Sequence, residues 1–240
     1  MKIKFKSILV LIIVILIAIA VKEVIAVSSI IKVPSLTIVL DPGHGGSMSG
    51  AVNDQLGIVE REITLKTARY LRDFLNQYDG VKVIMTHDGN LPSDYELELP
   101  ERGMIARRNQ ADLLVSLHFN AAENGVVLNG AEVYVTANKL LPKYNQQSTQ
   151  LGNKILNQLS GLGIANRGVK TRLCNDSGPK WEYSDGTKAD YYAVIRYPMK
   201  GDAEDQNHYI ILSLHLYWQC LIQIIDLIFY CLIESTADYI

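Results

Sequence analysis

The sequence predicts a single α/β domain with a mainly parallel or mixed central sheet flanked by helices. Three observations carry that expectation. Short β-branched or apolar runs bounded by Gly and Pro recur between residues 36 and 205. Stretches with apolar positions at helical spacing lie between them, which is the alternation of an α/β layer structure. The chain has 240 residues, enough for one sizeable core and too few for two ordinary domains plus an export segment.

Taken in order, residues 36–40 (Leu-Thr-Ile-Val-Leu) form the first buried strand, which runs into the turn Asp41-Pro-Gly-His-Gly-Gly46. Residues 60–78 place Ile63, Ala68, Leu71 and Leu75 on one helical face, and Asp79-Gly80 stops that helix. Residues 81–86 are the next strand. Pro100 or Glu101 starts a helix through Arg108, and residues 111–117 are again a strand. Residues 130–135 alternate as a strand, and residues 147–159 follow helical spacing. Residues 168–172 and 191–195 read as further short strands.

Beyond Asp205 the character changes. Residues 201–240 contain no Lys or Arg, and residues 210–233 are mostly apolar, interrupted by Ser213, His215, Gln219, Gln223 and Asp226. The segment fits neither the strand rhythm before it nor a clean membrane span. It reads either as an ordinary C-terminal helix or as a stretch foreign to the domain. The expected organisation is therefore residues 1–27 as export signal or anchor, 28–35 as linker, 36–205 as the catalytic domain, and 206–240 as an atypical apolar segment.

At the N-terminus Lys2, Lys4 and Lys6 precede an apolar run over residues 8–21, which Lys22 and Glu23 end. A positive region followed by an apolar stretch shorter than the ~20 residues of a comfortable span is the pattern of a secretory signal. Val24-Ile-Ala26 is the candidate cleavage site, an uncleaved membrane anchor over residues 8–21 is the other export reading, and a buried core helix is the third. Export places the body outside the cytoplasm, secreted or held at the outer face of the membrane. The formal charge of -2 gives no electrostatic footprint for nucleic acid. Three widely spaced cysteines, Cys174, Cys220 and Cys231, make neither a disulfide framework nor a metal-binding motif.

Chemistry concentrates at three places. His44 sits in a Gly-rich turn directly after a strand, Glu60 opens the first helix, and His118 ends a strand and precedes Phe119-Asn120-Ala121. In an open α/β sheet ligands collect where strands end. Two imidazoles and a carboxylate converging there suit Zn2+, with the fourth position left for water. The ion would lower that water's pKa to about 7 and polarise a scissile carbonyl. Each residue also has an ordinary reading: a hydrogen-bonded strand-end histidine, a helix-start carboxylate favoured by the dipole, a plain turn.

Asp41-Pro-Gly-His-Gly-Gly46, Val59-Glu-Arg-Glu-Ile-Thr-Leu65 and Ser116-Leu-His-Phe-Asn-Ala121 resemble the three signature segments of the N-acetylmuramoyl-L-alanine amidases, zinc hydrolases of the bacterial cell wall. Arg102-Gly-Met-Ile-Ala106 with Ala111-Asp112 is similar to the family's stretch before the third segment. The resemblance covers about residues 36–205. It implies that His44, Glu60 and His118 ligate zinc, and that the substrate is peptidoglycan, cut at the amide between N-acetylmuramic acid and L-alanine. It makes Asp41 and Asn120 candidates for orienting the ligand imidazoles, with local hydrogen bonding as their alternative role. Arg102 reads as a helix-surface residue, with a role at the site as its alternative, and His87 as a loop residue.

The family also carries a glutamate on an apolar strand near its C-terminus, which serves as general base. Only Leu232-Ile-Glu234 has that order here, so Glu234 is the candidate base, with a solvated residue near a frayed end as its other reading. His208 and His215 are candidate additional ligands. The expectation for residues from about 206 is that they are out of frame or otherwise aberrant, which would leave the sheet without a central strand. Two other functions are consistent with the sequence: a catalytically impaired zinc-binding homologue that binds cell wall or regulates another hydrolase, and another zinc hydrolase of the same polymer.

Overall fold

The structure, a computed structural model, describes residues 35–54, 57–91, 95–120, 129–137, 142–176, 181–198 and 210–217. In chain order the elements are β1 (Leu36–Pro42), β2 (Val52–Asn53), β3 (Ile58–Val59), α1 (Glu60–Leu75), β4 (Val81–Met85), α2 (Tyr95–Arg108), β5 (Leu113–Asn120), β6 (Ala131–Tyr134), α3 (Pro142–Gly161), β7 (Asn166–Lys170), α4 (Ala193–Arg196) and β8 (Ile210–Tyr217). Six strands form one sheet in the order β4-β1-β5-β8-β6-β7, and β2 pairs with β3 in a small hairpin. Strands β4, β1, β5 and β8 are mutually parallel. β6 runs antiparallel to β8, and β7 parallel to β6. The expected α/β architecture with a mainly parallel, mixed sheet is what the chain adopts.

The two faces of the sheet have different fates because side chains alternate along each strand. One face carries Ile38, Leu40, Leu113, Val115, Leu117, Val133, Leu212, Leu214 and Leu216 into the main core. Helix α1 covers it with Ala68, Leu71 and Leu75, and α3 with Leu151, Ile155, Leu156 and Leu159. Replacing Ile155, which is fully buried, by alanine is expected to lower stability by about 2–5 kcal/mol. Thermal or denaturant unfolding of the purified variant measures it. The other face starts apolar, with Val39, Leu114 and Ile211 packed on Ala106, Val194 and Ile195. It turns polar toward the C-terminal ends of β1, β5 and β8, and the cleft forms there.

Three expectations are corrected. Residues 191–195 are not a strand: α4 is a short helix there. Its Arg196 turns back so that the guanidinium donates to the carbonyls of Asp190 and Tyr191, 2.8 Å each. The second helix begins at Tyr95, so Pro100 lies inside it rather than at its start. The largest correction concerns the segment after Asp205. Residues 210–217 are not a helix, and the sheet does not lack a central strand. They form β8, in register between β5 and β6, with Ile211 to Tyr217 all buried. A strand covered on both faces needs no charge and shows little alternation, so its sequence reads as an undifferentiated apolar run.

Glu234 and His208 lie outside the described residues, as do the proposed export segment and anchor over residues 8–21. No described helix is long and apolar enough to cross a membrane.

Candidate metal centre and cleft

The turn after β1 is held from every side. The Gly43 N–H donates to the Leu117 carbonyl at 2.9 Å, and the Thr64 hydroxyl of α1 donates to the Gly43 carbonyl at 2.6 Å. Arg102 is fully buried and donates to the carbonyls of Pro42 (2.8 Å) and His44 (2.6 Å) and to Asp41 (3.3 Å). His87 accepts from the Gly89 N–H, so its Nε2–H donates to Pro42 O at 2.8 Å. Within this cradle His44 adopts φ 64°, a left-handed conformation that is uncommon for a residue with a side chain. That twist is what aims its ring at the start of α1.

There His44, Glu60 and His118 meet. The carboxylate Oε1 of Glu60 lies 3.1 Å from His44 Nε2 and 3.1 Å from His118 Nδ1, and the two rings stand edge-on at 4.9 Å. Burial raises the pKa of Glu60, but hydrogen bonds from His118 and His44 outweigh it and hold the carboxyl well below the usual range. Its oxygens also accept the N–H groups of Ala51 and Phe119 at 2.8 and 2.9 Å. One donor atom from each of the three residues lies within 4.8 Å of the others, and among the described residues this is the one such group of His, Cys, Asp and Glu. Two imidazoles with one carboxylate are a donor set that fits zinc.

The space around the trio is shaped by missing side chains. A Cβ on Gly43 would stand 2.4 Å from the His118 ring, and one on Gly50 would stand 2.6 Å from both Glu60 and His44. A side chain at Gly43 would therefore displace the His118 ring. Gly43→Ala is expected to weaken metal uptake by on the order of 10- to 100-fold, the range for disturbing a ligand's support. Titration of the purified variant with zinc against a competing chelator measures it.

Two further polar residues of the cleft floor come from β8, beside β5, and from β6 beyond it. His215 of β8 pairs with His118 in register and stacks on its ring at 4.9 Å with an interplanar angle of 9°. Burial, and then the neighbouring His118, push its pKa well below the ordinary imidazole value, so the ring is neutral. Its Nδ1 lies 3.0 Å from Asn120 Oδ1 and its Nε2 3.0 Å from Ser213 Oγ. Asn120 Oδ1 only accepts, so Nδ1 carries the proton and Nε2 accepts from the serine. Asn120 in turn donates to Glu132 of β6 at 3.3 Å. Glu132 is buried, with Lys170 at 2.5 Å and the hydroxyls of Tyr134 and Tyr217 at 3.1 and 3.3 Å.

The structure thus brings together His44, Glu60 and His118, and redistributes the supporting roles. His215 sits against the trio but both its nitrogens are engaged elsewhere, so it does not join the donor set. Asp41 does not touch the imidazoles. It accepts from Thr86 and Ser116 at 2.6 and 2.7 Å and pairs with Arg102. Asn120 orients His215 rather than a ligand ring. Arg102 is not a surface residue but a buried clamp on the His44 turn, and His87 is a second clamp.

The family model for N-acetylmuramoyl-L-alanine amidase matches residues 38–197. The chain belongs to that amidase family. The match ends before β8. Among curated relatives, the Bacillus subtilis N-acetylmuramoyl-L-alanine amidase LytC is 33% identical over 135 residues, covering 56% of this chain and 25% of LytC. The endolysin of Bacillus phage SPP1 is 36% identical over 132 residues, 55% of this chain and 45% of the endolysin. The chain spans between 23% and 59% of the length of the first curated relatives it matches. Among solved structures, an N-acetylmuramoyl-L-alanine amidase from Clostridium difficile 630 superposes with a TM-score of 0.62 at 18% identity. That match covers 85% of this chain and 96% of that one, a likeness of fold.

In this amidase-family chain His44, Glu60 and His118 open into a cleft of about 940 Å³. Its walls include Glu132, Tyr134, Arg172, Trp181, Tyr191 and Tyr192, none of which the sequence reading singled out. Glu132 and Tyr134 carried a usable signal: they occupy the polar phase of the alternating run 130–135, the phase opposite Ala131 and Val133. The aromatic wall carried none, because Trp181, Tyr191 and Tyr192 reach the cleft through a long irregular connection after β7.

Proposed function

We propose that the chain is a zinc-dependent hydrolase of the amide between N-acetylmuramic acid and L-alanine in peptidoglycan, acting outside the cytoplasm. The observation that carries the reading is the convergence of His44, Glu60 and His118 at the open end of the sheet, in a chain of this amidase family. These three residues would hold the ion, whose chemistry is to polarise the amide carbonyl and acidify water. The chain's own groups do the rest. Arg102 and His87 fix the turn that presents His44, and Gly43, lacking a side chain, leaves the His118 ring its place. The neutral His215 backs His118 without adding charge. Burial, with Tyr192 and Glu132 beside it, pushes the Tyr134 phenol up, so it stays protonated and donates to Glu132.

A second reading is favoured by one observation. Where the family pattern calls for a glutamate on the last apolar strand, β8 presents His215 to the cleft, held by the buried Ser213. Glu132, the buried carboxylate next to His215, is already paired with Lys170 at 2.5 Å and Arg167 at 3.6 Å. On that reading the protein holds zinc and binds the wall polymer without cutting it. Incubating the full chain with purified cell walls and measuring newly exposed L-alanine amino groups separates the two. Amidase activity gives release that a chelator abolishes and added zinc restores. No release from protein carrying one equivalent of zinc establishes the binder. Release of a muramyl amine or of D-alanine overturns the amidase reading in favour of a different hydrolase.

A further inference from the structure

Most cations near the cleft are already matched. Arg102 pairs with Asp41, while Lys170 and Arg167 pair with Glu132. Arg196 lies buried beneath Trp181 with its guanidinium on backbone carbonyls. Arg172, just past β7, is different. It is exposed, it lines the cleft, and among the described residues no carboxylate pairs with it. It is nevertheless held in place. Its guanidinium carbon lies 3.7 Å from the centroid of the Tyr191 ring and 6.0 Å from that of Tyr192, with a hydrogen bond to Tyr192. A guanidinium stacked on one aromatic face and tied at one edge keeps donors in a planar fork, the geometry that binds a carboxylate through two parallel hydrogen bonds.

Its place relative to the trio is set by a row of ring contacts. The Tyr192 ring lies 4.9 Å from that of His215, which lies 4.9 Å from that of His118. An extended peptide advances about 3.3–3.6 Å per residue. A peptide whose first amide sits at the trio therefore brings the side groups of its next few residues to Arg172. Lys170 and Arg167 are already engaged by Glu132, so Arg172 is the group on this side of the cleft suited to receive a carboxylate.

We propose that Arg172 determines specificity by binding the free carboxylate nearest the scissile amide on the peptide side of the substrate. The proposal rests on the amidase reading and names the peptide chemistry that reading leaves open. It is tested with two muramyl tripeptides, both amidated at the C-terminus, that differ only in whether the α-carboxyl of the second residue, D-glutamate, is free or amidated. Wild-type protein is expected to show a KM about 10- to 100-fold lower for the free acid, the size of one charge-assisted pair. R172M is expected to lose that preference with kcat little changed and with KM for the amidated peptide unaltered. R172K is expected to keep a fraction of it. Equal KM values for the two peptides in wild type, or an equal loss on both in R172M, overturns the proposal and leaves the amidase reading standing. If neither peptide is cut, calorimetric titration of the same pair decides. Tighter binding of the free acid by wild type but not by R172M supports the role of Arg172 while the amidase reading fails. Binding without preference overturns the proposal, and binding of neither peptide overturns both.

Discussion

A chain ended after Asp205 is expected not to fold. The loss would remove β8, which sits between β5 and β6 in the middle of the sheet. Ile211, Leu212, Leu214 and Leu216 are each almost fully buried, and every such side chain contributes about 1.5–3 kcal/mol relative to exposure. Their sum is comparable with the whole net stability of a typical domain, about 5–15 kcal/mol. The cut would also leave the inner edges of β5 and β6 unpaired, each a row of backbone donors and acceptors open to other chains. The truncated protein should therefore lack a cooperative thermal transition in far-ultraviolet circular dichroism and elute as aggregate. A sharp unfolding transition in residues 1–205 would show that β8 is dispensable.

Substitution of His118 by alanine is expected to abolish tight zinc binding and, with it, any chelator-sensitive release from cell walls. Glu60 Oε1 is shared by both imidazoles, so removing one leaves a two-residue donor set, short of the three protein ligands of a catalytic zinc site. The drop in affinity should exceed the on-the-order-of 100-fold upper range for supporting residues. His215→Ala provides the contrast, since that ring stacks on His118 without offering a nitrogen to the ion. It should retain one equivalent of zinc while losing about 1–3 kcal/mol of stability, because Ser213 and Asn120 are left with buried polar atoms to satisfy. Zinc stoichiometry by metal analysis and unfolding by denaturant read the two effects separately. Equal loss of zinc in both variants would place His215 in the donor set after all.

The trio was legible because each member sits at a punctuation mark of the sequence: a Gly-rich turn, a helix start, a strand end. Its supports were not. Arg102 lies on a helix among Glu101, Arg107 and Arg108, and composition alone does not say which face of that helix is covered. Asp41 reads as a turn residue, and its real role depends on Thr86, just past β4, and Ser116 of β5. The strand β1 was plain from its β-branched run bounded by Pro and Gly. β8 was not, since an apolar stretch covered on both faces has no period to detect. Residues 191–195 show the opposite error, where aromatic and β-branched residues suggested a strand and a buried arginine imposed a helical turn.

Strand β6 runs against its neighbour β8, so Glu132, near its beginning, arrives beside residues that close β5 and β8. Its carboxylate reaches the open end of the sheet only because Ala131 and Val133 face the other way. Inserting or deleting one residue just ahead of it would rotate every position by half a period. The carboxylate would then be driven under α1 and α3, and a methyl or isopropyl group would take its place in the cleft. Chain length ahead of Glu132, more than the identity of its neighbours, thus decides which group lands in the cleft.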